Sequence, residues 1–247
     1  MTPIQGARAR ARAEVAAAIK DEARKQLAAE GAAKLSLRAV ARELGLVSSA
    51  LYRYFPSRDD LLTALIVDAY DAIGAAAEEA FAAGPGGTTP GAHPLRWIAV
   101  CEAVRAWAVA HPHEYALIYG SPVPGYSAPA DTVVPAGRVG AVLLSLARDA
   151  RSDGALDPPD LPGELWPEAD RLTASLAPDL PPPAVAALVA AWSQVFGLIS
   201  FEIFGQFNRL VTDRDPFFRQ AVAGIAREIG LAGTEAGRGA GKGPVPG

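Results

Sequence analysis

Residues 48 to 55 read Ser48-Ser49-Ala50-Leu51-Tyr52-Arg53-Tyr54-Phe55. Wound into a helix, Ser48, Ser49, Tyr52 and Arg53 span about 140° of its surface, with Leu51 and Phe55 outside that arc. One face is polar and the other is an anchor. Short side chains near the start of such a helix permit close approach to base edges. A guanidinium can donate to guanine or phosphate, and a phenol can reach the sugar-phosphate backbone. The chemistry is recognition of a nucleic-acid duplex. A helix over 48–54 is too short to stand alone, so its neighbours must hold it.

The preceding segment, Leu35-Ser36-Leu37-Arg38-Ala39-Val40-Ala41-Arg42-Glu43-Leu44-Gly45-Leu46, has its own start and stop. Ser36 can cap a helix, and Leu35 can staple to Val40 across that cap. Leu37, Val40, Ala41 and Leu44 recur at the spacing of one buried face, which turns Arg38 and Arg42 outward. Gly45 supplies the left-handed residue that ends the helix, and Leu46 packs back under the turn. Together the two segments make a helix-turn-helix over 36–54. Upstream, Val15, Ile19, Ala23 and Leu27 lay an apolar stripe along a helix expected over 8–30. Downstream, Ser57 caps a helix expected over 58–83, with Asp59 and Asp60 where the helix dipole favours anions. Arg8, Arg10 and Arg12 keep two readings, a basic arm or a disordered leader.

The string Leu35-Ser36-Leu37-Arg38-Ala39-Val40-Ala41, then Glu43-Leu44-Gly45-Leu46, Ala50-Leu51-Tyr52-Arg53-Tyr54-Phe55 and Ser57-Arg58-Asp59-Asp60-Leu61-Leu62, resembles the DNA-binding domain of the tetracycline-repressor (TetR) family. The resemblance covers about residues 8 to 62. It implies base contacts for Ser48, Ser49 and Arg53, and phosphate contacts for Ser36, Arg38, Tyr52, Tyr54 and Arg58; the competing readings are Ser36 as a cap alone, Tyr54, which lies off the polar face, as a core aromatic, and Arg38 and Arg42 as solvated charges. It also implies dimerisation through the last two long helices. Trp192, Gly197 and Phe201-Glu202-Ile203-Phe204-Gly205 resemble a subgroup of the family's C-terminal domains. Phe196 stands where that subgroup often has a histidine.

Charge divides the chain in the same way. The net charge is -4, but residues 1–58 carry +6 and residues 59–247 carry -10. A basic head on an acidic body orients the head toward phosphates. Half of the 247 residues are apolar, enough for a large core. The single cysteine, Cys101, excludes an intramolecular disulfide framework and a Cys-rich zinc site. No apolar run follows the N-terminal arginines, so a reducing cytoplasm is the expected setting.

Ala, Leu, Arg and Glu fill the periodic stretches and strand-like alternation is nearly absent, which predicts an all-α fold. We expect a helix-turn-helix DNA-binding domain over 1–56, a helical regulatory and dimerisation domain over 57–230, and a disordered tail over 231–247. The body should hold helices near 94–110, 113–120, 136–152, 184–210 and 215–230, with a flexible loop at 84–91. The Pro-rich stretches 121–135 and 154–183 are long for loops, and part of 160–180 should hold a short helix. Over 184–207 apolar groups appear nearly all round the helix, as expected of a helix buried in a subunit interface or a membrane. Gln194, Glu202 and Gln206 favour the interface.

Trp97, Trp107, Tyr115, Tyr119, Trp192 and Phe196 are candidate lining for a small-molecule site, and equally candidate core. His93, His111 and His113 lack a Cys or carboxylate at ligand spacing, so no metal or other cofactor is expected. Glu102 and Arg105, three apart, read as a surface pair. The sequence thus predicts a cytoplasmic homodimer that binds a pseudo-palindromic double-stranded operator and is released from it by a lipophilic small molecule, with no membrane association. A DNA-binding dimer without a small ligand is the alternative. A helical enzyme is a third reading, for which no nucleophile with a base, metal cluster or nucleotide loop speaks.

Overall fold

A computed structural model describes residues 3–85 and 91–231. All regular structure among them is helical, as the sequence predicts: α1 (Pro3–Glu30), α2 (Leu37–Glu43), α3 (Ser48–Leu51), α4 (Arg58–Ala83), α5 (Ala92–Ala110), α6 (Pro112–Tyr119), α7 (Val133–Ala136), α8 (Arg138–Ser152), α9 (Trp166–Leu176), α10 (Pro182–Ile203) and α11 (Arg214–Glu228). By internal contacts, residues 3–76 with 104–139 form one compact unit and residues 77–103 with 140–231 form another. The expected tail lies, apart from Leu231, outside the described residues, as does most of the expected loop at 84–91.

The first unit is built on a core of Ile19, Ala23 and Leu27 from α1, Leu35, Leu37, Val40 and Ala41 around α2, Leu51 and Phe55, and Leu61, Leu62 and Leu65 from α4. The apolar stripes read from the sequence therefore meet in one place. Ser57 closes the start of α4: its Oγ accepts from the Asp60 amide at 3.1 Å and donates to the Asp60 carboxylate at 2.7 Å. Charges fasten α1 to its neighbours. Asp68 of α4 accepts Lys20 at 2.7 Å and Arg24 at 2.6 Å, and Arg24 also reaches Glu114 of α6 at 2.9 Å.

In the second unit α10 packs along α9 and α11. Trp97 is fully buried and donates its indole N–H to the Val222 carbonyl at 3.0 Å, joining α5 to α11. Arg96 lies over the Phe81 ring, 4.1 Å from its centroid, and pairs with Asp149 of α8 at 2.9 Å. Glu102 of α5 also reaches across to Arg219 of α11 at 2.8 Å.

Three boundaries differ from expectation. α1 starts at Pro3, so Arg8, Arg10 and Arg12 are helical and not a loose leader; alternating Ala and Arg are strong helix formers. The α-helical part of α3 ends at Leu51, and the chain tightens through Tyr54, whose amide bonds the Leu51 carbonyl at 2.8 Å. α10 ends at Ile203 instead of near 210, because Gly205 turns to φ 83° and the Phe204 amide closes on the Ser200 carbonyl. The short helix expected within the Pro-rich stretch is α9.

Candidate DNA-binding site

The helix-turn-helix takes the conformation its residues call for. Ser36 is the N-cap of α2, its Oγ accepting from the Ala39 amide, and its own amide donates to Gln26 of α1 at 3.3 Å. Gly45 sits at φ 64° in the turn, and the Leu46 amide returns to the Ala41 carbonyl at 2.8 Å. Along the segment from Ser48 to Phe55 polar and apolar groups separate: Ser48, Ser49, Tyr52 and Arg53 are exposed, while Leu51 is fully buried and Phe55, beyond the end of the helix, nearly so. Four of the five residues assigned to phosphates converge. Ser36, Arg38, Tyr52 and Arg58, with Ser57 and Pro56, surround an open cleft of about 450 Å³. Hydroxyls and guanidinium groups converging there suit phosphate oxygens.

Tyr54, the fifth, stands apart. It packs against the core of the first unit, with the Arg12 guanidinium 5.5 Å from its ring centroid. Arg12 also donates to the Arg53 carbonyl at 3.2 Å. No local pattern signals this pairing, since it joins residues 41 apart.

Arg58 is mostly engaged within the protein. Its Nη2 donates to the Ala32 and Ala33 carbonyls at 2.8 and 3.2 Å, and its Nε to the Leu35 carbonyl at 3.2 Å. The side chain therefore fixes the turn that leads into Ser36. Truncating it in Arg58→Ala should lower stability by roughly 1.5–3 kcal/mol, the usual worth of charge-assisted hydrogen bonds. It should also weaken binding to specific and random duplexes alike. Urea denaturation read beside anisotropy titrations checks both; unchanged stability would disprove the clamp.

The comparisons with known proteins agree with this geometry. A model described as bacterial regulatory proteins, tetR family, matches residues 19–65, and one described as tetracyclin repressor-like, C-terminal domain, matches residues 97–225. The chain belongs to the TetR family of transcriptional regulators. The HTH-type transcriptional regulator Rv1816 of Mycobacterium tuberculosis is 40% identical over 212 residues, covering 84% of this chain and 89% of that protein. The HTH-type transcriptional regulator Mb1846 of Mycobacterium bovis matches to the same extent. A crystal structure of the protein SCO4313 superposes with a TM-score of 0.73 at 33% identity, covering 87% of this chain and 97% of that one. The TetR-family regulator PfmR of Thermus thermophilus, 18% identical with a TM-score of 0.58 over 85% of this chain and 97% of that one, shares the fold. This TetR-family chain is thus a DNA-binding regulator and not an enzyme.

The six aromatics read as lining for a ligand site or as core divide between the two units. In the first unit, Trp107 stacks on His111 with ring centroids 5.0 Å apart, Tyr115 is fully buried, and Tyr119 packs against Tyr115 and Tyr70. In the second, Trp97 is core, whereas Trp192 is 41% exposed, 5.7 Å from the largely buried Phe196. None of the six lines the cavity of about 500 Å³ that opens in the first unit beside α4. Its walls include Ile66 and Tyr70 of α4, Leu117 and Ile118 of α6, and Tyr126 and Thr132 of the following segment. The Tyr126 hydroxyl bonds Thr63 of α4 at 2.9 Å, and Tyr70 donates to the Ile118 carbonyl at 3.3 Å. Burial pushes the Tyr70 phenol up from its ordinary pKa, which keeps it a neutral donor. Tyr70 and Tyr126 escape a reading by composition because neither sits in an aromatic-rich stretch. Among the described residues no cluster of His, Cys and carboxylates has metal-site geometry.

Proposed function

We propose that this TetR-family regulator works in the cytoplasm as a homodimer that holds a pseudo-palindromic operator and is released from it by a small molecule. The observation that carries the reading is the segregation of Ser48, Ser49, Tyr52 and Arg53 to the exposed side of α3 and the turn that follows it, over the buried Leu51. Ser48, Ser49 and Arg53 meet base edges. Ser36, Arg38, Tyr52 and the engaged Arg58 stand toward the phosphates, with Tyr54 as a supporting aromatic. Two α3 helices then enter successive major grooves about 34 to 36 Å apart.

A stripe left open on the last two helices supports the second copy. Gln194, Gly197, Leu198 and Phe201 follow one another on α10, and Phe217, Ala221, Ile225 and Glu228 on α11. With Phe207 they form a groove of about 450 Å³. Two such stripes brought together by a two-fold axis bury each other, and Gly197 allows close approach. α10 also has the length and hydropathy of a membrane span. Gln194 in its exposed stripe favours a protein partner over lipid.

The effector is a largely apolar, uncharged molecule held beside α4, where hydroxyls of Tyr70, Tyr126 and Thr132 supply the polar contacts. It acts only through different affinity for the two states of the protein. Selection of bound sequences from random DNA should return an inverted repeat, and sedimentation at micromolar concentration should give a dimer. A monomer or an asymmetric site overturns the dimer reading. Thermal-shift screening of lipophilic compounds should yield a stabilising ligand that also weakens the DNA complex. Stabilising ligands that all leave DNA binding unchanged would overturn release.

A further inference from the structure

We propose that the first turns of α1 form a second DNA-contacting element, in which Arg8 grips a backbone phosphate outside the segment read by α3. The proposal rests on the reading of α3 as the recognition helix. The stripe by which α1 packs into its unit runs through Val15, Ile19, Ala23 and Leu27, of which Ile19 and Ala23 are fully buried. Continued toward the N-terminus, that stripe changes character. Arg12 and Arg8 both fall within about 20° of the direction of Ile19 on the helix. Where the core ends, arginine replaces the apolar residue.

Arg12 shows what lies next to this face. It donates to the carbonyl of Arg53 and covers the ring of Tyr54. The α1 stripe therefore passes beside the end of α3, next to the residue that meets bases. Arg8 lies one turn further, about 6 Å along the axis. It is exposed, as is every residue from Ala7 to Glu14, and no acidic residue precedes Glu14 in the chain. A guanidinium carried past the edge of the recognition surface on a rigid helix is placed to meet a phosphate, which adds affinity without sequence preference. Arg10 carries the same charge on the same turns but points about 160° away from Arg12. It is the internal control.

The test uses the full chain and a duplex selected by the wild-type protein from random DNA, long enough to flank the bound segment on both sides. Arg8→Gln should weaken binding about tenfold and reduce the slope of log affinity against log salt by about 0.9 for each phosphate no longer neutralised. Arg8→Lys should restore both, because a phosphate accepts any cation at that position, and Arg10→Gln should stay within about twofold of wild type. Equal losses for Arg8→Gln and Arg10→Gln would reduce the effect to net charge and overturn the proposal, as would no loss for Arg8→Gln. Arg53→Ala on the same duplex separates the two readings. If it retains full discrimination, the assignment of α3 fails and the proposal falls with it; if only Arg8→Gln is silent, the extension alone fails.

Discussion

Arg53→Ala should remove most of the preference of the protein for its selected duplex over an unrelated one while leaving its stability within about 0.5 kcal/mol of wild type. The side chain is exposed, and the hydrogen bond that ties this residue to α1 uses its carbonyl, which accepts from Arg12 and survives truncation. What disappears is a donor able to meet guanine through two hydrogen bonds, worth about 1–3 kcal/mol of discrimination for each copy. In a dimer that is about 2–6 kcal/mol, a large part of the roughly 4–10 kcal/mol that separates specific from non-specific binding. Arg58→Ala makes the contrast. Its loss should fall equally on both duplexes, because its hydrogen bonds position the α2 entry turn and its neighbours line the cleft proposed to take phosphates. Competition titrations with the two duplexes measure the ratio directly. Equal losses on both duplexes for Arg53→Ala would disprove the division between reading and holding.

The head of the molecule was legible because its signals are local. A cap at Ser36, a left-handed glycine at Gly45 and an apolar stripe at helical spacing each act within a few residues, and all three appear as expected. α4 likewise begins and ends where its pattern does, at Arg58 and Ala83. Contacts between distant residues were not legible. Arg12 against Arg53 and Tyr54, and Arg58 against three carbonyls, depend on how helices cross, which spacing along one helix does not encode. The aromatics of the body, readable as lining or as core, stayed undecided in the sequence for a related reason. Trp97 and Tyr115 are large and apolar, so the same physics that would line a pocket fills a core, and burial claimed both. The cavity beside α4 instead has walls contributed by Tyr70, Tyr126 and short residues around Gly120, whose convergence depends on the path of an irregular segment.

Leu198→Glu should convert the protein to a monomer and reduce operator affinity by a factor of about 10²–10⁴, the range that separates two linked sites binding together from one binding alone. Leu198 lies in the α10 stripe, half-exposed in the isolated chain, with Gly197 and Phe201 around it and Ile225 and Glu228 of α11 lining the same groove. In the proposed two-fold contact the new carboxylate meets apolar groups of the other copy and approaches its own symmetry mate and Glu228. Burial of an unpaired charge there costs several kcal/mol, more than a four-helix contact can absorb without separating. The folded monomer should survive, because a half-exposed carboxylate can turn to water and Glu is a good helix former. Leu198→Met, which keeps volume and polarity, should remain a dimer and bind as wild type does. Binding to a duplex carrying a single half-site isolates the cause: Leu198→Glu should match wild type there and fall behind only on the full operator. Monomeric protein with undiminished operator affinity would mean that each head binds alone, and a persistent dimer would move the interface away from this groove.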